Sequence, residues 1–164
     1  MGKGILFVCL LAAVACTGAS SSVAVASTGG GTGAAAMSAS SSAAPVIVRA
    51  NTVKWTPIPG IAGAEAGVLW GDPKKSGSQY AERLKLADGT KFAPHTHPQI
   101  EQVTVLSGVL LVGVGKTVDP SKMVALPAGS FVAIPANLPH YGMAKGETIL
   151  EIHGIGPDVM NMVK

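Results

Sequence analysis

The sequence predicts an all-β domain, a sandwich or barrel, behind an N-terminal leader and a linker. Three observations carry this. Short apolar and β-branched runs recur between glycine and proline turns along residues 45–164, which is the spacing of antiparallel strands. No segment sustains the 3.6-residue apolar period of an amphipathic helix. The composition also changes at Pro45, from Ser, Gly, Ala and Thr to the full alphabet of a folded domain. The 120 residues that follow suffice to bury one hydrophobic core.

Residues 1–26 read as a signal peptide. Lys3 opens a short basic start, and residues 5–15 form an apolar run of eleven, too short to span a bilayer. Small-x-small cleavage sites end at Ala15 and Ala26. Cys16 directly follows the first of them and resembles the attachment site of a bacterial lipoprotein, so the leader is cut simply or the chain is lipid-anchored at Cys16. The competing reading is a buried apolar helix, and the tract that follows argues against it. Residues 27–44 read as a flexible Ser/Gly/Ala tether, because such a composition is expected to bury too little apolar surface to offset its ordering entropy. Leader and tether together predict export, to a periplasm or to the outside.

Both cysteines, Cys9 and Cys16, lie in or beside the leader, so the domain at residues 45–164 has no disulfide and no thiolate ligand. It holds eleven basic and nine acidic residues, a net +2, with Lys74 and Lys75 the only adjacent basic pair. That scatter excludes a nucleic-acid surface. Membrane contact is expected only through the Cys16 anchor.

Along the domain, Val46, Ile47 and Val48 make a first strand candidate. Residues 55–59 carry two prolines and read as an extended edge. Residues 66–70 and 78–86 are strands, the second ended by an Asp88-Gly89 turn. Residues 109–114 are nearly all apolar and are expected to be buried on both faces. Residues 119–123 form a turn or one loose helical turn. Residues 123–126, 130–134 and 148–153 complete the strand set. Residues 46–48 would leave an unpaired edge, by which two copies are expected to form a homodimer.

The chemistry concentrates between Gly89 and Gly108. His95 and His97 are two apart, so on an extended strand they leave one face. Glu101 follows a Pro98 that ends the first strand, and a hairpin-like bend there would bring its carboxylate back against both imidazoles. Two imidazoles and a carboxylate suit a divalent transition metal. The bland alternative is a pair of surface histidines beside a turn. Further on, Gly129, Pro135, Asn137 and His140 mark a glycine turn, a short strand and a proline-bounded turn ending in a fourth candidate ligand.

The first stretch reads Gly-x5-His-x-His-x3-Glu-x6-Gly and the second Gly-x5-Pro-x-Asn-x2-His. Together they resemble the two motifs of the cupin superfamily. Asn137 replaces a glycine usual in that family, and Asn is the non-glycine residue best able to take positive φ. Ala144 replaces a frequent Asn. The resemblance implies a double-stranded β-helix, a jelly-roll barrel. It implies that His95, His97, Glu101 and His140 point into the barrel and bind one divalent metal, iron or manganese first by analogy, nickel or zinc otherwise. Two coordination positions would stay open.

Other residues extend the site. Glu151 and His153 share one face of the last strand, as acid–base groups of the pocket or as a solvated outer face. Glu82 and Arg83 point to opposite faces, so only one faces inward. An inward Arg83 would bind a substrate carboxylate, and an outward one is a surface residue. Tyr141 and Met143 read as packing residues. The remaining wall of Val, Leu, Ile and Phe favours a small, partly apolar ligand. The functional reading is an exported metal-dependent enzyme acting on a small organic molecule, dioxygenase-like or a Lewis-acid isomerase or lyase. The alternative is a non-catalytic envelope protein that holds a small molecule or the metal. A regulatory sensor reading needs an added helical segment and a cytoplasmic site, and the leader contradicts both.

Overall fold

A computed structural model describes residues 44–164. The leader and the tether up to residue 43 lie outside the described residues, and so do the expectations stated for them. The described chain folds as a jelly roll of nine strands. They are β1 (Thr56–Pro57), β2 (Ala64–Gly71), β3 (Gln79–Leu86), β4 (Lys91–Thr96), β5 (Glu101–Val114), β6 (Val124–Pro127), β7 (Phe131–Ile134), β8 (His140–Ile155) and β9 (Asn161–Met162). One 3-10 turn, Ala50–Thr52, precedes β1, and another, Pro120–Lys122, lies between β5 and β6.

Two long strands organise the rest. β5 and β8 pair antiparallel from Gln102↔His153 to Val114↔His140. The C-terminal half of β8 continues into β3, β2 and the edge strand β1, while the N-terminal half of β5 takes up β7. At the other end, the C-terminal half of β5 pairs β6, and the N-terminal half of β8 pairs β4, which pairs β9. The β5–β8 ribbon therefore belongs to both walls of the barrel and bends between them. The bend is visible as register shifts around Ser107, with Gly108 at φ 74° and Gly146 at φ 75°. Extra residues of this kind locally break a ladder and curl the strand.

The core follows from strand parity. On β3, Tyr80, Glu82, Leu84 and Leu86 are buried, and the residues between them are not. Leu86 is fully buried, and Val103, Val105, Leu110, Leu150 and Ile152 close around it. Each fully buried aliphatic side chain stabilises the fold by about 1.5–3 kcal/mol. The edge segment, the Asp88-Gly89 turn and the 3-10 turn lie where their sequence puts them.

Four expectations need correction. Val46, Ile47 and Val48 form no strand and are exposed; with no neighbouring strand to satisfy their backbone, the pairing edge they would offer does not form. Residues 109–114 are not buried on both faces: Leu110 on the inner face is buried, but Val109 and Leu111 on the other face are only half-buried, and Val114 at the strand end is 58% exposed. The last strand begins at His140 rather than 148, since the polar Lys145-Gly146-Glu147 step is a bend within β8 and not its start. Finally, β4 and β5 do not form a hairpin. Each pairs with β8, at different places.

The two bend glycines give a test. Both hold a left-handed backbone, which costs an L-residue about 1–2 kcal/mol. At Gly146 an added Cβ meets open space, whereas at Gly108 it would press on the Glu147 carbonyl and the Thr148 hydroxyl. Urea unfolding should therefore show Gly146→Ala destabilised by about 1 kcal/mol and Gly108→Ala by about 3 kcal/mol or more. Equal losses would mean that the ribbon does not depend on close approach at Gly108.

Candidate metal centre

Each side chain of the centre is placed by a different part of the ribbon or its neighbours. His95 lies on β4 directly opposite His140, the first residue of β8. His97 follows one residue after β4 ends, and Glu101 is the first residue of β5. The second-motif turn locks onto this segment, because Asn137 donates its backbone N–H to the His97 carbonyl at 2.8 Å. Asn137 holds φ 62°, the positive value expected of an Asn in a glycine position. The three imidazoles are 3%, 8% and 5% exposed at His95, His97 and His140. One ring nitrogen of each lies within 4.8 Å of the others. Glu101 Oε2 stands 3.3 Å from His140 Nε2 and 3.7 Å from His97 Nε2. An octahedron of bonds near 2.1 Å sets its donors about 3–4 Å apart, so the cluster is of the right size.

The hydrogen bonds behind the rings fit a metal as well. His95 Nδ1 donates to the Ala93 carbonyl at 2.6 Å, and His140 Nδ1 to the Leu138 carbonyl at 3.0 Å. A carbonyl only accepts, so each proton sits on Nδ1 and each Nε2 presents a lone pair to the centre. His97 differs. Its Nδ1 lies 3.1 Å from Asp158 Oδ1 without the alignment of a hydrogen bond, and both of its buried ring nitrogens lack a hydrogen-bond partner. A buried, unpartnered imidazole is costly, and a bound cation at Nε2 would satisfy one of its two nitrogens. These donors can hold a metal ion.

The electrostatics divide the nearby acids. Burial pushes the Glu82 carboxyl up to about 7, and the negative charges of Asp158 and Glu101 add to it. Burial also acts on Asp158, but the neighbouring His97 ring outweighs it, with Glu82 and Tyr80 contributing, and its carboxyl lies below the usual range. Burial lowers His95, with the other two imidazoles contributing. At His97 burial is outweighed by the Asp158 and Glu101 carboxylates, and the ring is more basic than usual. Tyr80 is pushed well up by burial and by the surrounding acids.

All of these groups except Tyr80 line one cavity of about 690 Å³. Its walls include Ile58, Phe92, Val103, Leu110 and Ile152, the apolar lining expected, and Lys54 and Lys74 reach its mouth. Arg83, Glu151 and His153 are not part of it. Arg83 pairs with Glu151 Oε2 at 2.8 Å, and Glu151 Oε1 meets His153 Nε2 at 3.1 Å. This trio lies on the outer face, because Leu84, Leu150 and Ile152 on the same strands take the core side. The assignments of Arg83 to substrate and of Glu151 and His153 to acid–base work are therefore corrected. Tyr141 is buried, and its hydroxyl holds the Asp119 backbone at 3.0 Å.

The sequence reading missed Glu82, Tyr80 and Asp158 as site residues. A signal for two of them was present: Leu84 and Leu86 must face the core, so parity puts Tyr80 and Glu82 on the same side. Asp158 lies beyond the last long strand and reaches His97 through tertiary folding alone, which no local pattern reveals.

Comparison with known proteins adds three results. Residues 82–155 match the family of the cupin domain. No curated protein matches the chain. Among solved structures, an RmlC-like cupin from Shewanella frigidimarina is similar with a TM-score of 0.54 and 18% identity, over 68% of this chain and 91% of its own. The polyketide cyclase RemF from Streptomyces resistomycificus gives 0.58 and 18%, over 72% and 84%. Salicylate 1,2-dioxygenase from Pseudoaminobacter salicylatoxidans, solved with gentisate, gives 0.51 and 18%, over 62% of this chain and 27% of its own. At such identities the likeness is one of fold.

The raised Glu82 carboxyl carries a linkage signature. A group whose folded pKa exceeds its unfolded value contributes stability that is present below the unfolded value and lost as pH rises through the folded one. For Glu82 that window runs from 4.5 to about 7. In metal-free protein, Glu82→Gln should therefore gain on the wild type between pH 4.5 and 7, by on the order of 1–3 kcal/mol. Urea titrations of both proteins at pH 5 and pH 8 measure the gap. A gap that shrinks with pH contradicts the burial of this acid.

Proposed function

Since the chain belongs to the cupin superfamily, we propose that it is a metal-dependent enzyme acting on a small organic molecule inside the barrel. One observation carries the proposal: His95, His97, Glu101 and His140 converge on the cavity although they come from the end of β4 and the starts of β5 and β8. A divalent ion held there would supply a Lewis-acid centre with room for an oxygen-donor substrate or dioxygen. Iron or manganese is the first choice for this set of three imidazoles and one carboxylate, with nickel and zinc next. The residues themselves do the remaining work. The Ala93 and Leu138 carbonyls and Asp158 orient the three rings. The apolar walls exclude water and select a ligand with an apolar body, and Lys54 and Lys74 at the mouth favour one that bears an anionic group.

Metal content tests this reading directly. Wild-type protein should hold one equivalent by elemental analysis. His140→Ala should lose it to a mild chelator, with affinity down by at least about 10–100-fold. Glu101→Gln, which keeps an oxygen donor but no charge, should weaken binding less and leave the protein folded. The metal should also raise the melting temperature of the wild type by mass action. A His140→Ala protein that keeps its full equivalent removes the second motif from the site. Full metal without turnover, across oxygen-uptake and isomerase or lyase screens, would favour a binding protein instead.

We further propose that the protein acts outside the cytoplasm. The apolar run at residues 5–15, the small-x-small sites and the tether support export. Residues 1–44 fused to a reporter that works only after export should give active reporter. An intact but silent fusion sinks the claim. Cys16→Ser should abolish membrane association if the lipid-anchored form is the real one.

A further inference from the structure

The inner face of β3 carries one acid among its core residues. Glu82 is 7% exposed, sits between Tyr80 and Leu84 on that face, and lines the same cavity as the four candidate ligands. It is not one of them. Through the register Glu82↔Ile152 and Ile152↔Val103 it stands two strands from β5, about 10 Å along the sheet. Glu82 and Glu101 line the same cavity, and its volume of about 690 Å³ admits a small organic molecule within reach of both.

Packing does not account for a carboxyl group here. Burial costs it free energy, and the acids that face it are Asp158 from the C-terminal segment and Glu101 from β5, with the Tyr80 hydroxyl beside it on β3. Among the described residues no Lys, Arg or His forms an ion pair with it. Asp158 is the more open of the two acids, with its side chain 28% exposed. Glu82 is the one buried on the inner face of β3 while lining the cavity, so it is the acid placed to exchange a proton with a bound molecule. Paired acids held apart in this way mark proton-transfer groups.

We propose that Glu82 is the proton-transfer group of the cavity, acting on the carbon next to a carbonyl or carboxylate of a small substrate, with Asp158 and Tyr80 positioning it. The proposal rests on the metal-dependent reading above. A Glu82 oxygen takes the proton from that carbon, the C–H electron pair moves into the adjacent carbon–carbon bond, and charge collects on the carbonyl oxygen. Protonated Glu82 then returns the proton to a different carbon, which completes an isomerisation. Alternatively a leaving group departs from the next carbon with its electron pair and receives the Glu82 proton, which completes an elimination. No oxidant or reductant enters either route.

The test uses metal-loaded full-length protein in deuterated water, with pyruvate, acetoacetate and levulinate as probes and proton NMR as the readout. Wild type should exchange carbon-bound hydrogen faster than metal-stripped protein on at least one probe. Glu82→Gln should lower that rate about 100-fold or more while elemental analysis still finds one equivalent of metal. Glu82→Asp keeps the acid but draws it back, and should fall between the two. Carbon-13 NMR of the Glu82 carboxyl needs no turnover, and its midpoint should lie above the ordinary glutamate range of about 4–5. Loss of the metal reading shows separately, as a His140→Ala protein that retains its ion, and the carbon-13 midpoint then still judges Glu82. The proposal is overturned by no exchange on any probe, by unchanged exchange in Glu82→Gln, or by a midpoint within the ordinary range.

Discussion

The β5–β8 ribbon has to fold back on itself, and most of the molecule follows from that. Drawn straight, the fourteen residues of β5 would span over 40 Å. In the ladder, Glu101 at one end of β5 and His140, paired with the other end, lie at opposite ends of the ribbon. Their side chains nevertheless approach to 3.3 Å. That is possible only because the ribbon doubles over near Ser107, Gly108 and Gly146. The doubling makes two facing walls, encloses the apolar side chains of both, and brings the ribbon's ends together. Barrel and centre are one geometric event.

The same closure explains the cost that the site carries. Three imidazoles and the Glu82 carboxyl are drawn out of water into a small volume, with Glu101 and Asp158 more open beside them and no disulfide in the domain to hold it. Backbone carbonyls satisfy two of the rings, and a carboxylate stands beside the third. What remains unsatisfied is concentrated where a ligand would sit: both nitrogens of the His97 ring, with the buried Glu82 carboxyl lining the same cavity. Residual polar imbalance of this kind marks function more than folding. The outer-face trio of Arg83, Glu151 and His153 is balanced and partly solvated by contrast, and such pairs contribute little.

Much of this was legible in the chain. Glycine and proline turns cut the strands nearly where the structure has them, and the two His-bearing motifs lie on the segments that meet. Asn137 takes its positive φ as its chemistry allows. What was not legible depends on parity and on distance. Glu151 and His153 alternate with Leu150 and Ile152, and only the core's demand for the aliphatic pair decides which set turns inward. Arg83 and Glu82 pose the same choice, and Leu84 and Leu86 settle it in favour of the acid. The long β8 was hidden because a Lys-Gly-Glu step reads as a loop, although here it is the bend of a continuous strand. Asp158 had no local signal, since its position comes from the C-terminal segment, where the Asp158 backbone N–H bonds to the Pro73 carbonyl and that of Val163 to the Pro94 carbonyl.

The opposed ends of the ribbon also bear on the order in which the protein assembles. His95 and His140 face each other across β4 and β8 but lie far apart in sequence, and Glu101 arrives from the other wall. No two-stranded fragment contains the full donor set. Long-range pairings of this sort form late, after the entropy of closing the intervening chain has been met. An ion therefore finds no complete nest on the folding chain, and can be bound tightly only by a barrel that is already closed. On the metal-dependent reading, loading would follow folding and would proceed through the cavity mouth, past Lys54 and Lys74.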